Sequence, residues 1–349
     1  MYSDHDLQSA VAAGALSAEA ADALRAHVAA MREGPLADEE QFRLITGFND
    51  IFVSIAAILF LTGCAWAGGA VTPWLGAALV TLSSWGMAEF FTAKRRMALP
   101  SILLLIAFVG GSFATTLTLL IPEGHVSEGN RTGMVYAALA AAVSTAAAWG
   151  HWRRFQVPIT IAAGVAAATG VLIALLAAAY PDWSTYQLYL MLFASGLAIF
   201  GFAMRWDLTD RDRKTRRSDV AFWLHLLAAP MIVHPIFAML GLTSGTASPG
   251  VAALVLLIYL ALGALALIID RRALMVSALA YVLAAMGALF REFGAVSLNI
   301  AITALIIGSA LLLLSAFWHN VRSALVQLLP ESWQHRLPPV QQVNPQPAS

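Results

Sequence analysis

Apolar positions along this chain follow neither the alternation of a strand nor the one-sided stripe of a soluble amphipathic helix. They run in blocks of about 17–25 residues with almost no charge inside. A block of that length crosses a hydrocarbon core of roughly 30 Å as a helix rising about 1.5 Å per residue. The pattern predicts ten spans, at 48–68, 72–92, 99–121, 133–150, 157–179, 185–204, 219–240, 250–269, 273–290 and 293–317. The expected fold class is therefore all-α, a polytopic helical membrane protein of about ten transmembrane helices.

Charge placement gives the expected orientation. Ten spans put Arg43, Lys94, Arg95, Arg96, Arg153, Arg154, Arg205, Arg211, Arg213, Lys214, Arg216, Arg217, Arg271, Arg272 and Arg322 near one face, and only Arg131 and Arg291 near the other. Fifteen against two is the asymmetry of the positive-inside rule, with both termini cytoplasmic. One span more or fewer would scramble the alternation downstream. Trp66 and Trp74 bracket the first outer turn and Tyr180, Trp183 and Tyr186 the third, as interfacial anchors.

Composition agrees: of 349 residues, 60% are hydrophobic and 11% charged, against roughly 25% charged in a soluble domain. A net charge of zero removes the global basic field that a nucleic-acid binder needs. Eighteen arginines to two lysines, with heavy alanine use, suggest a GC-rich bacterial genome and hence the bacterial inner membrane. The single cysteine, Cys64, sits within the first apolar block, so no intramolecular disulfide is expected. The acidic N-terminal segment lacks the pattern of a cleaved signal peptide, and insertion is expected to be directed by the first span.

Outside the spans there is little room for a second domain. Residues 1–35 are expected to form a small cytoplasmic helical hairpin, with Gly14 ending one short helix and Ser17 capping the next. Residues 36–318 form the membrane domain. Residues 319–349 are expected to comprise an interfacial helix, with Val321, Ala324, Leu325, Leu328 and Leu329 on one face, and a disordered tail. Paired arginines at 95/96, 153/154, 216/217 and 271/272 recur every 58, 63 and 55 residues. Two readings fit: duplication of a two-helix unit, or the need of every inner loop for positive charge.

Ionisable groups within the bilayer are costly and so mark candidate chemistry. Asp50 opens the first span and Glu89 closes the second, at equal distance from the intervening turn. Facing each other they would repel, letting one hold a proton near neutrality; alternatively Asp50 caps a helix and Glu89 pairs with a basic neighbour. The seventh span carries His225, His234, Pro230 and Pro235. Nine residues place the histidines on opposite faces of a straight helix, against one shared metal ion. Each proline frees a carbonyl four residues earlier, on Leu226 and Met231, so a bend is expected; a packing helix with bonded imidazoles is the alternative. Asn299 in the tenth span fits interhelical hydrogen bonding as well as ligand contact. Ala162, Ala166 and Gly170 recur at the spacing that lets helices approach closely.

No phosphate loop, zinc signature, nucleophile elbow or haem motif occurs, so no enzyme activity, cofactor or metal is expected. The segments Ala12-Ala13-Gly14-Ala15-Leu16-Ser17-Ala18-Glu19-Ala20-Ala21-Asp22-Ala23-Leu24, Gly47-Phe48-Asn49-Asp50-Ile51-Phe52 and Arg217-Ser218-Asp219-Val220-Ala221-Phe222-Trp223-Leu224-His225 resemble segments of uncharacterised bacterial multi-spanning membrane proteins of a domain-of-unknown-function family. In that family a short N-terminal helical hairpin precedes many membrane helices; the resemblance brings no activity with it. The expected function is a small-solute or ion permease of the secondary-transporter kind, with His225, His234, Asp50, Glu89 and Asn299 as substrate or proton contacts. The alternative is a non-transporting scaffold or regulator acting through its N-terminal helices. Expected partners are the lipid bilayer, anionic lipid at the inner loops and a protein bound by the hairpin, with no nucleic acid.

Overall fold

In a computed structural model of the chain, the described residues are 4–24, 48–121, 131–210, 215–241, 249–271, 299–334 and 337–338, with Met275, Leu279 and Leu283 individually. Backbone contacts divide the chain into two units, Met1–Arg43 and Leu44–Ser349. In the first, α1 (Asp4–Ala12) ends where Gly14 turns to φ +70° and Ala15 N–H closes back on Ala10 O at 3.0 Å. A positive φ at a helix end suits glycine because it has no Cβ to clash. Helix resumes over 18–24, with Ser17 Oγ accepting the Ala20 N–H at 3.1 Å as an N-cap.

The second unit contains α2 (Phe48–Gly69), α3 (Pro73–Ala88), α4 (Ala98–Leu120), α5 (Arg131–Phe155), α6 (Ile159–Ala179), α7 (Thr185–Thr209), α8 (Arg216–Met239), α9 (Pro249–Ile269), α10 (Asn299–Ala316), α11 (Trp318–Gln327) and α12 (Glu331–Gln334). Among the described residues there is no strand. Six helices, α2 and α4 to α8, are long and apolar enough to cross a membrane. They match the spans expected at 48–68, 99–121, 133–150, 157–179, 185–204 and 219–240. Within α9, Ala253–Ile269 is a shorter apolar helix. The span expected at 273–290 lies outside the described residues, three side chains apart.

Three helices differ from their expected bounds in one direction. α5 runs on to Phe155, α7 runs on to Thr209 and α8 begins at Arg216, because polar residues at the membrane surface continue the backbone ladder beyond the apolar stretch. The segment expected at 72–92 changes character: α3 gives way at Glu89 to a π-helical turn, Glu89–Lys94. Such a turn inserts residues into the ladder and rotates the side chains that follow.

Small residues set the helix contacts, as they must where apolar burial gives no preference for protein over lipid. A Cβ on Gly68 would lie 2.6 Å from Gly76 Cα at the α2–α3 turn, and one on Gly111 would lie 2.5 Å from Thr81 Oγ1. α5 and α6 meet at Ala148 with Gly164 and at Ala141 with Gly170, so Gly170 packs within the bundle. α7 reaches α8 at Gly196, where a Cβ would be 2.9 Å from both Met231 C and Ile232 Cγ1. Met231 is the residue whose carbonyl Pro235 frees, so the closest α7 approach falls on that peptide. α8 itself is one continuous helix through Pro230, which is exposed, and Pro235, which is buried. It is the most buried of the six: 56% of its apolar stretch is buried, against 17–33% in the other five.

The paired arginines occupy unlike places. Among the described residues, three other than glycine have a positive φ: Arg96 (53°), Gln156 (52°) and Asp270 (58°), each just after a helix. Arg95 and Arg96 include that left-handed residue, Arg153 and Arg154 lie in the last turn before it, and Arg271 follows it. Arg216 and Arg217 open α8. The pairs thus sit in different registers, whereas a duplicated hairpin would repeat the turn and its arginines in one register.

Candidate functional site

Among the described residues, the side-chain cluster with the most charge and the least exposure joins α7, α8 and Arg271, two residues past α9. α7 buries Gly196, Ile199, Ala203 and Asp207, a spacing of three and four that puts the Asp207 carboxyl on the same face as the apolar contacts. The α7–α8 connection is clamped at its ends. Asp210 Oδ2 accepts from Thr215 N at 2.9 Å and from Thr215 Oγ1 at 2.6 Å, while Thr215 Oγ1 accepts from Arg217 N at 3.2 Å as the cap of α8. The clamp brings His225, on the buried stripe of α8, against Asp207. His225 Nε2 donates to Asp207 Oδ2 at 2.8 Å, because a carboxylate only accepts, and Phe200 meets the imidazole edge to face at 5.2 Å.

The third member is set by the turn after α9. Asp270 takes φ 58° and Arg271 N–H returns to Ala266 O at 2.8 Å, which turns the Arg271 side chain inward. Its guanidinium Nη2 donates to Asp207 Oδ1 and Nε to Oδ2 at 3.3 Å; Nη2 also reaches Ser218 O and Oγ, each at 3.3 Å. His225 is 0%, Arg271 1% and Asp207 7% exposed, so the ion pair is closed to solvent. A fork of two donors onto one carboxylate fixes geometry as well as charge. Buried charge of this kind is tolerated only when paired, and breaking the pair costs more than making it gains.

Asp270, adjacent in the chain, belongs to a second network. Its Oδ1 accepts from Trp318 Nε1 at 2.8 Å and lies 3.7 Å from Arg322 Nε, and Arg322 Nη2 donates to Pro338 O at 2.7 Å. Consecutive residues thus hold α7 and α8 on one side and α11 on the other. α11 turns Trp318, Arg322 and Val326 inward at intervals of four, on the face of its helix opposite exposed Leu328 and near exposed Phe317.

The residues singled out from sequence fall in separate places. Glu89, at the start of the π turn, is held by Arg154, Nε to Oε1 at 2.9 Å and Nη2 to Oε2 at 2.7 Å, in an exposed pair. No hydrogen bond joins it to Asp50. Asp50 is 3% exposed on the α2 stripe that continues through Ser54, Ala57 and Leu61, and its carbonyl accepts from Ser54 Oγ at 2.7 Å. His225 is in the cluster; His234 is half-buried and meets Tyr189 edge to face at 5.8 Å. Asn299 begins α10, and its side chain lies outside the described ones.

Asp207 lies beyond the span expected at 185–204, and Arg271 stands in the sequence only as one of fifteen basic residues near one face, so neither was a candidate. The spacing 199, 203, 207 was the available signal for Asp207; for Arg271 there was none short of the turn at Asp270. His151 was also passed over. It is fully buried on the α5 stripe with Ser144 and Ala148, its Nδ1 lies 3.2 Å from Thr160 Oγ1, and its ring packs with Phe155 at 4.6 Å, Phe108 at 5.8 Å and Trp85 at 6.1 Å. Among the described residues no three His, Cys, Asp or Glu side chains gather as a metal site. No protein-family model, no curated protein and no solved structure matches this chain.

Proposed function

We propose that this chain is a ten-helix protein of the bacterial inner membrane, with both termini cytoplasmic, that acts as a small-solute or ion permease. The observation that carries the reading is the sharing of one buried carboxylate, Asp207, between His225 of α8 and Arg271 after α9. Intramembrane ionisable groups are functional candidates by default, and Asp and His are the usual proton carriers among them. A proton added to Asp207 removes the charge that binds Arg271 and reverses the role of Oδ2 toward His225. The helices that the carboxylate holds together are then free to separate. Ion or proton binding would in this way bias two arrangements of α7, α8 and α9, which is what coupled transport requires. Exposed Lys94, Arg95, Arg96, Arg153, Arg216 and Arg217 on the inner rim suit anionic lipid head groups.

The test is metabolite and ion profiling of a deletion strain complemented with wild type or Asp207→Asn, with protein levels matched. Restored flux by wild type and its loss with Asp207→Asn is the expected result; flux unaltered by either removes the reading.

One observation favours a non-transporting scaffold or regulator. Among the described residues, the mainly apolar cavity beside Tyr259, Leu311, Leu314 and Trp318 has none of His225, Asp50, Glu89 and His234 in its lining. Removing residues 1–43, the separate N-terminal unit, discriminates the two: a permease keeps its flux, whereas a scaffold acting through those helices loses its phenotype.

A further inference from the structure

We propose that Asp219, in the first turn of α8, is a second counter-ion for Arg271, to which the guanidinium passes when Asp207 loses its charge. The step rests on the permease reading above, in which Asp207 takes up a proton, and states where the released arginine goes. Arg271 already touches α8 beside that residue: its Nη2 donates to Ser218 O and Ser218 Oγ, each at 3.3 Å, one position before Asp219. Asp219 itself is half-buried, and among the described residues no donor bonds to its carboxylate. The arginine three residues before it, Arg216, turns away to Gln156 Oε1 at 3.0 Å, and Arg217 is exposed.

The charges around Asp219 suit an arriving cation. Arg271 and Arg216 attract its carboxylate through space, and Asp210, held by Thr215 N and Oγ1, repels it. His225, seven residues along α8 from Ser218 and so on the same face, is bonded to Asp207. A half-buried carboxylate with a like charge near it and no donor is poorly satisfied, and a guanidinium supplies both donors and opposite charge. When a proton from water adds to Asp207, its charge is cancelled, Arg271 stays cationic, and the ion pair Asp207–Arg271 is replaced by Asp219–Arg271. No charge is left unpaired in the closed cluster, which is the arrangement that would be costly. Arg271 remains on α8 in both states, so the link that opens is the one between α7 and the end of α9.

The test is a cycle of variants in the full-length protein, unfolded in mixed detergent and dodecyl sulfate micelles and followed by circular dichroism. Asp207→Asn stands in for the protonated carboxyl. In wild type, Asp219→Asn should raise the unfolded fraction by about fivefold or less, the share of a first-turn acid in the helix dipole. In Asp207→Asn the same change should cost a further tenfold or so, the worth of one hydrogen bond to a charged group. In Asp207→Asn/Arg271→Met its effect should return to that seen in wild type, because no guanidinium remains to be received. Should Asp207→Asn/Asp219→Asn not fold, adding Arg271→Met should restore folding. An equal effect of Asp219→Asn in all three backgrounds would mark a dipole residue only and overturn the proposal. So would an Asp207→Asn protein that fails to fold with Asp219 intact, or a double variant that Arg271→Met does not restore. The cycle needs no flux: coupling found without transport in the deletion strain removes the permease and leaves the counter-ion exchange, and transport without coupling does the reverse.

Discussion

Replacing Arg271 by Met keeps most of the volume of the side chain and removes its charge. The guanidinium makes two bonds to Asp207 and two to Ser218, all buried. Hydrogen bonds to a charged group contribute about 1.5–3 kcal/mol each, and orphaning one partner of a buried ion pair costs about 3–5 kcal/mol. Asp207 keeps only His225, so the expected loss is about 3–5 kcal/mol, a rise of roughly 150- to 5,000-fold in the unfolded fraction. His225→Leu leaves the Arg271 fork in place and should cost less. The double variant Asp207→Leu/Arg271→Met leaves no charge orphaned and should recover most of the stability lost in Arg271→Met alone. Unfolding in mixed detergent and dodecyl sulfate micelles, followed by circular dichroism, measures all four proteins. A loss below about 1 kcal/mol for Arg271→Met, or a double variant no better than the single one, would refute the assignment of a closed ion pair.

Gly196→Val should lower the melting temperature by forcing α7 off α8, an overpacking cost of about 1–3 kcal/mol, while Gly201→Ala, with nothing within 4 Å of its Cβ, should be silent. Arg154→Ala breaks an exposed pair with Glu89 and should barely move the melting temperature, less still in high salt; a large drop would place that pair at lower dielectric than its exposure implies. Glu89→Gln with flux unchanged would eliminate a proton-carrying role for that carboxylate. Trp318→Phe keeps the ring and loses the bond to Asp270, so a cysteine at buried Val326 should react faster with a membrane-impermeant maleimide than in the parent protein.

Hydropathy located the interiors of six membrane-length helices well, because twenty apolar residues leave lipid as the only solvent. It failed at their ends, where α7 continues five residues past the expected 204 and carries Asp207 with it. A charge near a membrane surface looks the same in sequence whether it faces water or a neighbouring helix. Asp207 differed from its surroundings by falling in step with Ile199 and Ala203, and His225 by standing in an apolar run. Arg271 was illegible because its direction depends on one backbone torsion at Asp270, a residue type that tolerates the left-handed region without announcing it. The aromatic packing around His151 gathers three helices and so has no local signature.

That torsion makes the end of α9 a rigid crank. Asp270 grips the indole of α11 and Arg271 the carboxylate of α7, and a single peptide plane lies between them. A change in the Asp270 torsion would move both grips together, although each side chain can still turn about its own bonds. The holds on α11 and on the Asp207–His225 pair are thus one residue apart in the chain, so a shift of the α9 end would act on both at once.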